Sequence, residues 1–319
     1  MNPQWKRWGV RILKLVLALV VLFFIGWQFA RDLNRGGDDG KSPLDLEWRP
    51  GWFLASGVLY LVGLLSAAWF WRHLLCLFGY PISLYAAIRA HYIGQLGKYV
   101  PGKALAIAIR ADLVHPLGVP YGVSVIASFY EVFTGMAAGA IVAAIIYVIE
   151  PPTVSEVEWH PLGVGAVLIG LCGIPLLPGV FNFVIARLAV KLPTVEQYRL
   201  PPVRFGTLAR GLVVSALGWW LQGLSWWMML QAVLPEPPDF TFAWWWRCTA
   251  SIAFANVAGF AMFFLPAGLG AREFLLLTLL RSFVPPAYLV PAAILLRLNW
   301  IVAETLFALC TYWFKPNQP

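Results

Sequence analysis

Two stretches of this chain place charged side chains beside a break in an apolar run. In YIGQLGKYVPGK (92–103) and the following ALAIAIRADL, Lys98, Lys103 and Arg110 surround the breaker Pro101-Gly102, with Tyr99 between. In LPAGLGAREF (265–274), Pro266, Gly268 and Gly270 precede Arg272 and Glu273. Proline removes a backbone donor and pushes the residue before it out of the helical region, so each place is a helix that stops and restarts. Lysine and arginine next to a restarting helix are the chemistry of phosphate binding. Their charge-assisted hydrogen bonds add to the N–H groups and partial positive charge of the helix start. The blander reading is that Lys98, Lys103 and Arg110 snorkel to lipid headgroups, that Arg272 is interfacial, and that Glu273 completes a first helical turn.

A third set of charges, Glu131, Arg297 and Glu304, lies inside long apolar runs. Arg297 and Glu304 are seven apart and share a helix face, so they are free to pair within one helix or across a bundle. A structural ion pair and a proton or substrate relay both fit. No Gly-x-Ser-x-Gly elbow, phosphate-binding glycine loop with Lys-Ser/Thr or paired His/Glu zinc motif is present, so no catalytic residue is assigned. No cofactor and no metal are expected. Cys76, Cys172, Cys248 and Cys310 lie far apart in apolar segments and read as packed thiols.

The elements that must position these residues are membrane helices. Of 319 residues, 60% are hydrophobic and 12% charged, and the mean hydropathy is +0.73. A soluble domain carries about 25% charged residues. The chain reads as an all-α polytopic membrane protein, one integral membrane domain over 1–319, with about six full spans. These are 12–30, 51–71, 121–149, 161–186, 211–234 and 287–314. The first is read as uncleaved, with its N-terminus in the cytoplasm. The formal charge of +8 follows the positive-inside pattern rather than pointing to nucleic acid. Segments 72–118 and 187–210 each hold five basic residues and one acidic, and 150–158 holds glutamates alone. Trp52, Trp69 and Trp71, and the clusters at 219–220, 226–227 and 244–246, read as interfacial belts.

Neither arm around Pro101, about 83–100 or 103–115, is long enough to span. A broken or re-entrant hairpin from the cytoplasmic side is expected there, and a second over about 243–283. The competing reading makes 243–265 a full span. A shift of 165 places Gly94 on Gly259, Tyr99 on Phe264, Pro101 on Pro266 and Pro120 on Pro285. This suggests repeat halves 51–149 and 211–314. Three crossings between them would make the copies inverted, a plan common in secondary transporters.

The pair GQLGKYVPGK and LPAGLGAREF resembles the membrane region of lysylphosphatidylglycerol synthetases, which also occurs alone as flippase-like proteins. The resemblance implies a translocase of phospholipid, aminoacyl-phospholipid or another lipid-linked headgroup in the cell inner membrane. It implies a site at Gly97, Lys98, Tyr99, Pro101, Gly102, Lys103, Pro266, Gly268, Gly270, Arg272 and Glu273. With Pro319 directly after the last span, no aminoacyl transfer is expected of this chain. The expected partners are a membrane phospholipid and a lipid-modifying enzyme, with no nucleic acid. The alternative is an integral membrane enzyme or accessory subunit acting on a lipid-linked substrate, with Glu131 or Glu273 as acid or base.

Overall fold

The computed structural model describes residues 47–99, 104–151, 161–191, 200–261 and 271–314. Over these residues it is all helical: α1 Pro50–Leu77, α2 Leu84–Gln95, α3 Ala104–Val114, α4 Tyr121–Ile149, α5 Pro161–Gly173, α6 Pro178–Lys191, α7 Phe205–Val233, α8 Phe242–Ala261, α9 Ala271–Leu280 and α10 Pro286–Trp313. Short 3-10 turns follow α2 (Leu96–Tyr99), α3 (His115–Leu117) and α5 (Ile174–Leu176). The expected first span, 12–30, and the breaker residues Pro101, Gly102, Lys103, Pro266, Gly268 and Gly270 lie outside the described residues.

Helices α1, α4 and α10 are long and apolar enough to cross a membrane. The expected fourth span is a bent pair, with its halves 55° apart at the break before Pro178. That proline cannot donate to the preceding turn, so the helix restarts in a new direction. Helix α7 has 29 residues, about 43 Å at the usual rise, but falls short of the same apolarity. Four tryptophans, two glutamines and two serines lie along it. Helix α8, the competing full span, is not among the long apolar helices either.

Helices α1 and α7 form the central pair and run antiparallel. Residue numbers rise along one as they fall along the other: Arg49 N–H donates to Ala232 O (3.0 Å), Ser56 faces Ser225, Gly63 faces Gly218 and Phe70 faces Gly211. The spacing of seven is that of a left-handed helix pair. Small residues recur on the contact stripe of α7 (Gly211, Gly218, Ser225, Ala232), which lets the backbones approach where burial of apolar surface gives no drive. The contacts are reciprocal. Ser56 Oγ donates to Ser225 O and Ser225 Oγ to Ser56 O, each at 2.8 Å. A Cβ at Gly63 would stand 3.2 Å from Gly218 O, and one at Gly218 would stand 3.0 Å from Gly63 O.

This antiparallel pair sends the two short-armed segments in from opposite ends. The α2–α3 arms begin just after the C-terminus of α1, where Arg72 donates to Ile82 O (2.8 Å), and return to the start of α4. The α8–α9 arms begin just after the C-terminus of α7 and return to the start of α10. Ser83 caps α2 by accepting from Ala86 N–H (3.1 Å), and Gly118, at φ +86°, turns the chain out of α3 toward α4.

The packing partners correspond between the two groups. Helix α2 packs on α10 as α8 packs on α4, α1 packs on α4 as α7 on α10, and α3 on α4 as α9 on α10. Arg89, sixth in α2, donates to the last carbonyls of α10, Thr311 O (3.1 Å) and Tyr312 O (3.3 Å). Arg247, sixth in α8, donates to Glu150 at the end of α4 (2.7 Å). A cation at a helix C-terminus is favoured by the dipole there, and Arg89 also satisfies two of the last carbonyls.

The tryptophan reading needs correction. Trp71, Trp219, Trp226 and Trp227 are buried in the bundle, and only Trp52 and Trp69 of the proposed belt of α1 are exposed. Trp219 Nε1 donates to Gly135 O at 2.8 Å, and a Cβ at Gly139 would fall 2.7 Å from its ring. Glycines on α4 therefore make a slot for a tryptophan of α7. Tryptophan's size suits it to filling the space between helices as well as to the interface.

The close packing of α7 on α8 gives a direct test. A Cβ at Gly223 would lie 2.6 Å from Thr249 Cα, whereas one at Gly122 meets nothing within 4 Å. Gly223→Ala is expected to destabilise the purified protein by about 1–3 kcal/mol through overpacking. Gly122→Ala is expected to leave the thermal transition unchanged or higher. Equal transitions in both variants would contradict the α7–α8 contact.

Candidate functional site

The described polar residues of the two hairpins and of α10 meet around the middle of the bundle. Glu304 of α10 is fully buried. Its Oε1 accepts from Lys98 Nζ (2.5 Å) and from Tyr60 hydroxyl, and its Oε2 accepts from Tyr99 hydroxyl (2.8 Å). A carboxylate inside an apolar bundle is tolerable only with this degree of pairing. Lys98 and Tyr99 are brought there by the 3-10 turn that ends the α2 arm. The turn is held close to α3 by its glycine: a Cβ at Gly97 would stand 2.6 Å from Ala106 N. Gly94, one turn earlier, lies against the aliphatic stem of Arg110 and would set a Cβ 3.0 Å from Ala106 O.

Tyr60 continues the site toward the other hairpin. Its ring stacks on Trp300 with centroids 4.0 Å apart and planes within 6°. Arg272, at the start of α9, holds its guanidinium 4.6 Å from the Trp300 ring centre. Lys98 Nζ lies 5.0 Å from the Tyr99 ring centre and 5.9 Å from that of Tyr60. Trp300 Nε1 donates to Ser225 Oγ (3.2 Å), tying the stack to the α1–α7 pair. Trp300 is fourteen residues into α10, about 21 Å along a helix of about 42 Å. Glu273, next to Arg272, accepts from Arg297 Nη1 at 2.8 Å. Among the described residues, no carboxylate lies within ion-pair distance of Arg272.

A second polar cluster joins the first hairpin to α4. Arg110 of α3 donates to Glu131 of α4 at 2.7 Å, and His91 Nε2 of α2 lies 3.7 Å from the same carboxylate. All three are buried.

The family model for the lysylphosphatidylglycerol synthase TM region matches residues 11–307. The chain belongs to that family. A search of curated proteins finds no match. Together with its long apolar helices, membership makes this a multi-pass membrane protein.

Against the set carried over from the family motifs, the structure brings Lys98, Tyr99 and Arg272 to one place, with Glu273 beside them. Pro101, Gly102, Lys103, Pro266, Gly268 and Gly270 lie outside the described residues. Arg110 was expected at the same phosphate, but its guanidinium is held by Glu131 in the second cluster and is 3% exposed. The proposed relay residues do not form one chain of contacts. Glu131 pairs with Arg110, Arg297 with Glu273 and Glu304 with Lys98, so the seven-residue spacing of Arg297 and Glu304 does not become a pair. Each finds its partner on another helix. Tyr60, Trp300 and His91 escaped the sequence reading because none is charged at neutral pH and none lies in either motif. A tryptophan halfway along a span, away from both interfaces, was the available signal for Trp300.

The Arg110–Glu131 pair yields a stability prediction. Glu131→Leu strands a buried guanidinium and is expected to cost about 3–5 kcal/mol. The double variant Arg110→Met/Glu131→Leu removes both charges and is expected to recover most of that loss. A double variant as unstable as the sum of the two single changes would show that the two residues are not coupled.

Proposed function

We propose that this chain moves phospholipid between the leaflets of the cell inner membrane, engaging the headgroup phosphate at Arg272 and Lys98. The observation that supports it most is the meeting of two oppositely inserted hairpins at Trp300, with a guanidinium there that has no described carboxylate within ion-pair distance. An ionisable group that deep in a membrane bundle is costly unless it has work to do, and phosphate is the partner that the planar guanidinium fork fits.

The topology belonging to this reading has six spans, with α2–α3 and α8–α9 as re-entrant hairpins of an inverted repeat. The corresponding helix packing and the antiparallel α1–α7 pair favour it. The end of the bundle carrying Arg72, Arg204 and Arg210 faces the cytoplasm by the charge bias, and the end carrying Glu47, Glu150, Glu236 and Asp239 faces away. The first hairpin then opens to the cytoplasm and the second to the far side, so the polar centre is approached from both. Alternating loosening of the two hairpins would expose it to one leaflet at a time. The enzyme reading gains nothing from the geometry. Glu131 and Glu273, its candidate acid or base, are each held by an arginine.

The test is leaflet exchange in proteoliposomes, followed by reduction of an acyl-labelled phospholipid from outside. Arg272→Gln is expected to slow exchange roughly ten- to a hundredfold, the worth of one charge-assisted hydrogen bond, with the thermal transition retained. Exchange at the rate of the unaltered protein would contradict the proposal.

A further inference from the structure

We infer that His91 is a proton-binding site, and that a proton taken up there releases the α3 arm of the first hairpin from α4. The site lies in the second polar cluster, which the proposed headgroup site does not use, and it stands whether or not the translocase reading holds. His91 has no exposed surface, and among the described residues neither of its ring nitrogens has a hydrogen-bond partner. Its Nε2 is 3.7 Å from Glu131 Oε1, near enough for an ion pair but too far for a hydrogen bond. Buried polar groups in native proteins are nearly always bonded, and an exception points to a role beyond packing. The shortage extends to its neighbours. Arg110 Nε lacks a partner, as does Trp71 Nε1, on a ring centred 6.0 Å from Arg110 Cζ.

Charge decides what a proton does here. With the ring neutral, Arg110 and Glu131 balance, the guanidinium donating to Oε2 at 2.7 Å. An imidazolium brings a second cation to that carboxylate, and two N–H donors where the neutral ring has one. The charges that act on His91 are Arg110 of α3, Glu131 of α4 and Lys98 of the turn after α2. Helices α1 and α10, also packed on α2, bring Tyr60 and Glu304, and both are engaged with Lys98. Glu131 must then be shared between Arg110 and His91. The proton therefore weakens the ion pair that ties α3 to α4, and by linkage it favours the packing in which that arm has moved away. The step is one proton gained by the imidazole, with no covalent bond broken in the protein.

A route for that proton runs along α4. Ser124, Ser128 and Glu131 are spaced by four and three residues and share a helix face. Both hydroxyls are fully buried, with no partner among the described residues. A hydroxyl accepts one proton and passes on another, so the two serines make steps from the start of α4 at Tyr121 toward the carboxylate. Where the chain moves lipid as proposed above, proton entry is what opens the first hairpin.

Ring protonation and arm release are read separately. A full chain whose other three histidines are glutamine carries one isotope-labelled imidazole, that of His91, and is studied by ring-nitrogen NMR in lipid nanodiscs. Both nitrogens are expected to reach the imidazolium position between about pH 8 and about pH 5. Over the same range, hydrogen–deuterium exchange of the α3 amides, corrected for its intrinsic pH dependence, is expected to rise roughly tenfold or more while that of α7 stays unchanged. His91→Gln, uncharged at every pH, is expected to remove the rise. A ring that stays neutral down to about pH 5 in the folded protein overturns the inference. Equal release of α3 in His91→Gln also overturns it, by assigning the proton to Glu131. Neither readout involves leaflet exchange, so failure of the translocase reading is distinguishable from failure of the proton site.

Discussion

A carboxylate with no exposed surface, deep in an apolar bundle, is the constraint around which this protein is arranged. Glu304 is satisfied there by Lys98, Tyr60 and Tyr99, which come from two other parts of the chain, the turn after α2 and the middle of α1. Tyr60 must therefore lie on a helix packed beside α10, and the α2 arm must end at the depth of that carboxylate. The 3-10 turn at Leu96–Tyr99, and the glycines that let it lie against α3, serve that placement. The same tyrosine carries the arrangement to Trp300 and hence to Arg272 on the other hairpin.

The two groups of helices share their packing plan but not their chemistry. The arms, the long helices and even the arginines at Arg89 and Arg247 hold corresponding places, while the charges at the centre do not repeat. Lys98 and Arg110 belong to the first hairpin, and Arg272 and Glu273 to the second. Packing geometry tolerates many apolar sequences of suitable size, so both groups of helices can keep it. A buried charge tolerates only a matched partner, so once a cation stands in one hairpin its acid must be supplied from elsewhere. Here α10 supplies Glu304 and Arg297, one for each hairpin.

Much of this frame was legible in the residues themselves. The apolar runs gave the long helices closely, α4 and α10 to within a residue of the expected ends, because uninterrupted hydrophobicity over a span length has few other meanings. Prolines and glycines gave the arms. The pairing of charges was not legible, because a helix-face argument reports which residues of one helix are neighbours, and every buried pair here joins two helices. The tryptophans misled for a related reason: composition marks them as amphipathic, and only the glycine slots on a neighbouring helix decide that Trp219 goes inward. Tyr60 and Trp300 became visible as site residues only once stacking brought them beside Arg272.

The proposed translocation requires the two hairpins to open to opposite sides of the membrane. Single cysteines at Tyr85, near the foot of the first, and at Phe242, at the foot of the second, in an otherwise cysteine-free chain, report this directly. Both positions are exposed. With a membrane-impermeant maleimide, the expected result is that one site labels only in sealed right-side-out vesicles and the other only in inside-out vesicles. Labelling of both from the same side would contradict the account.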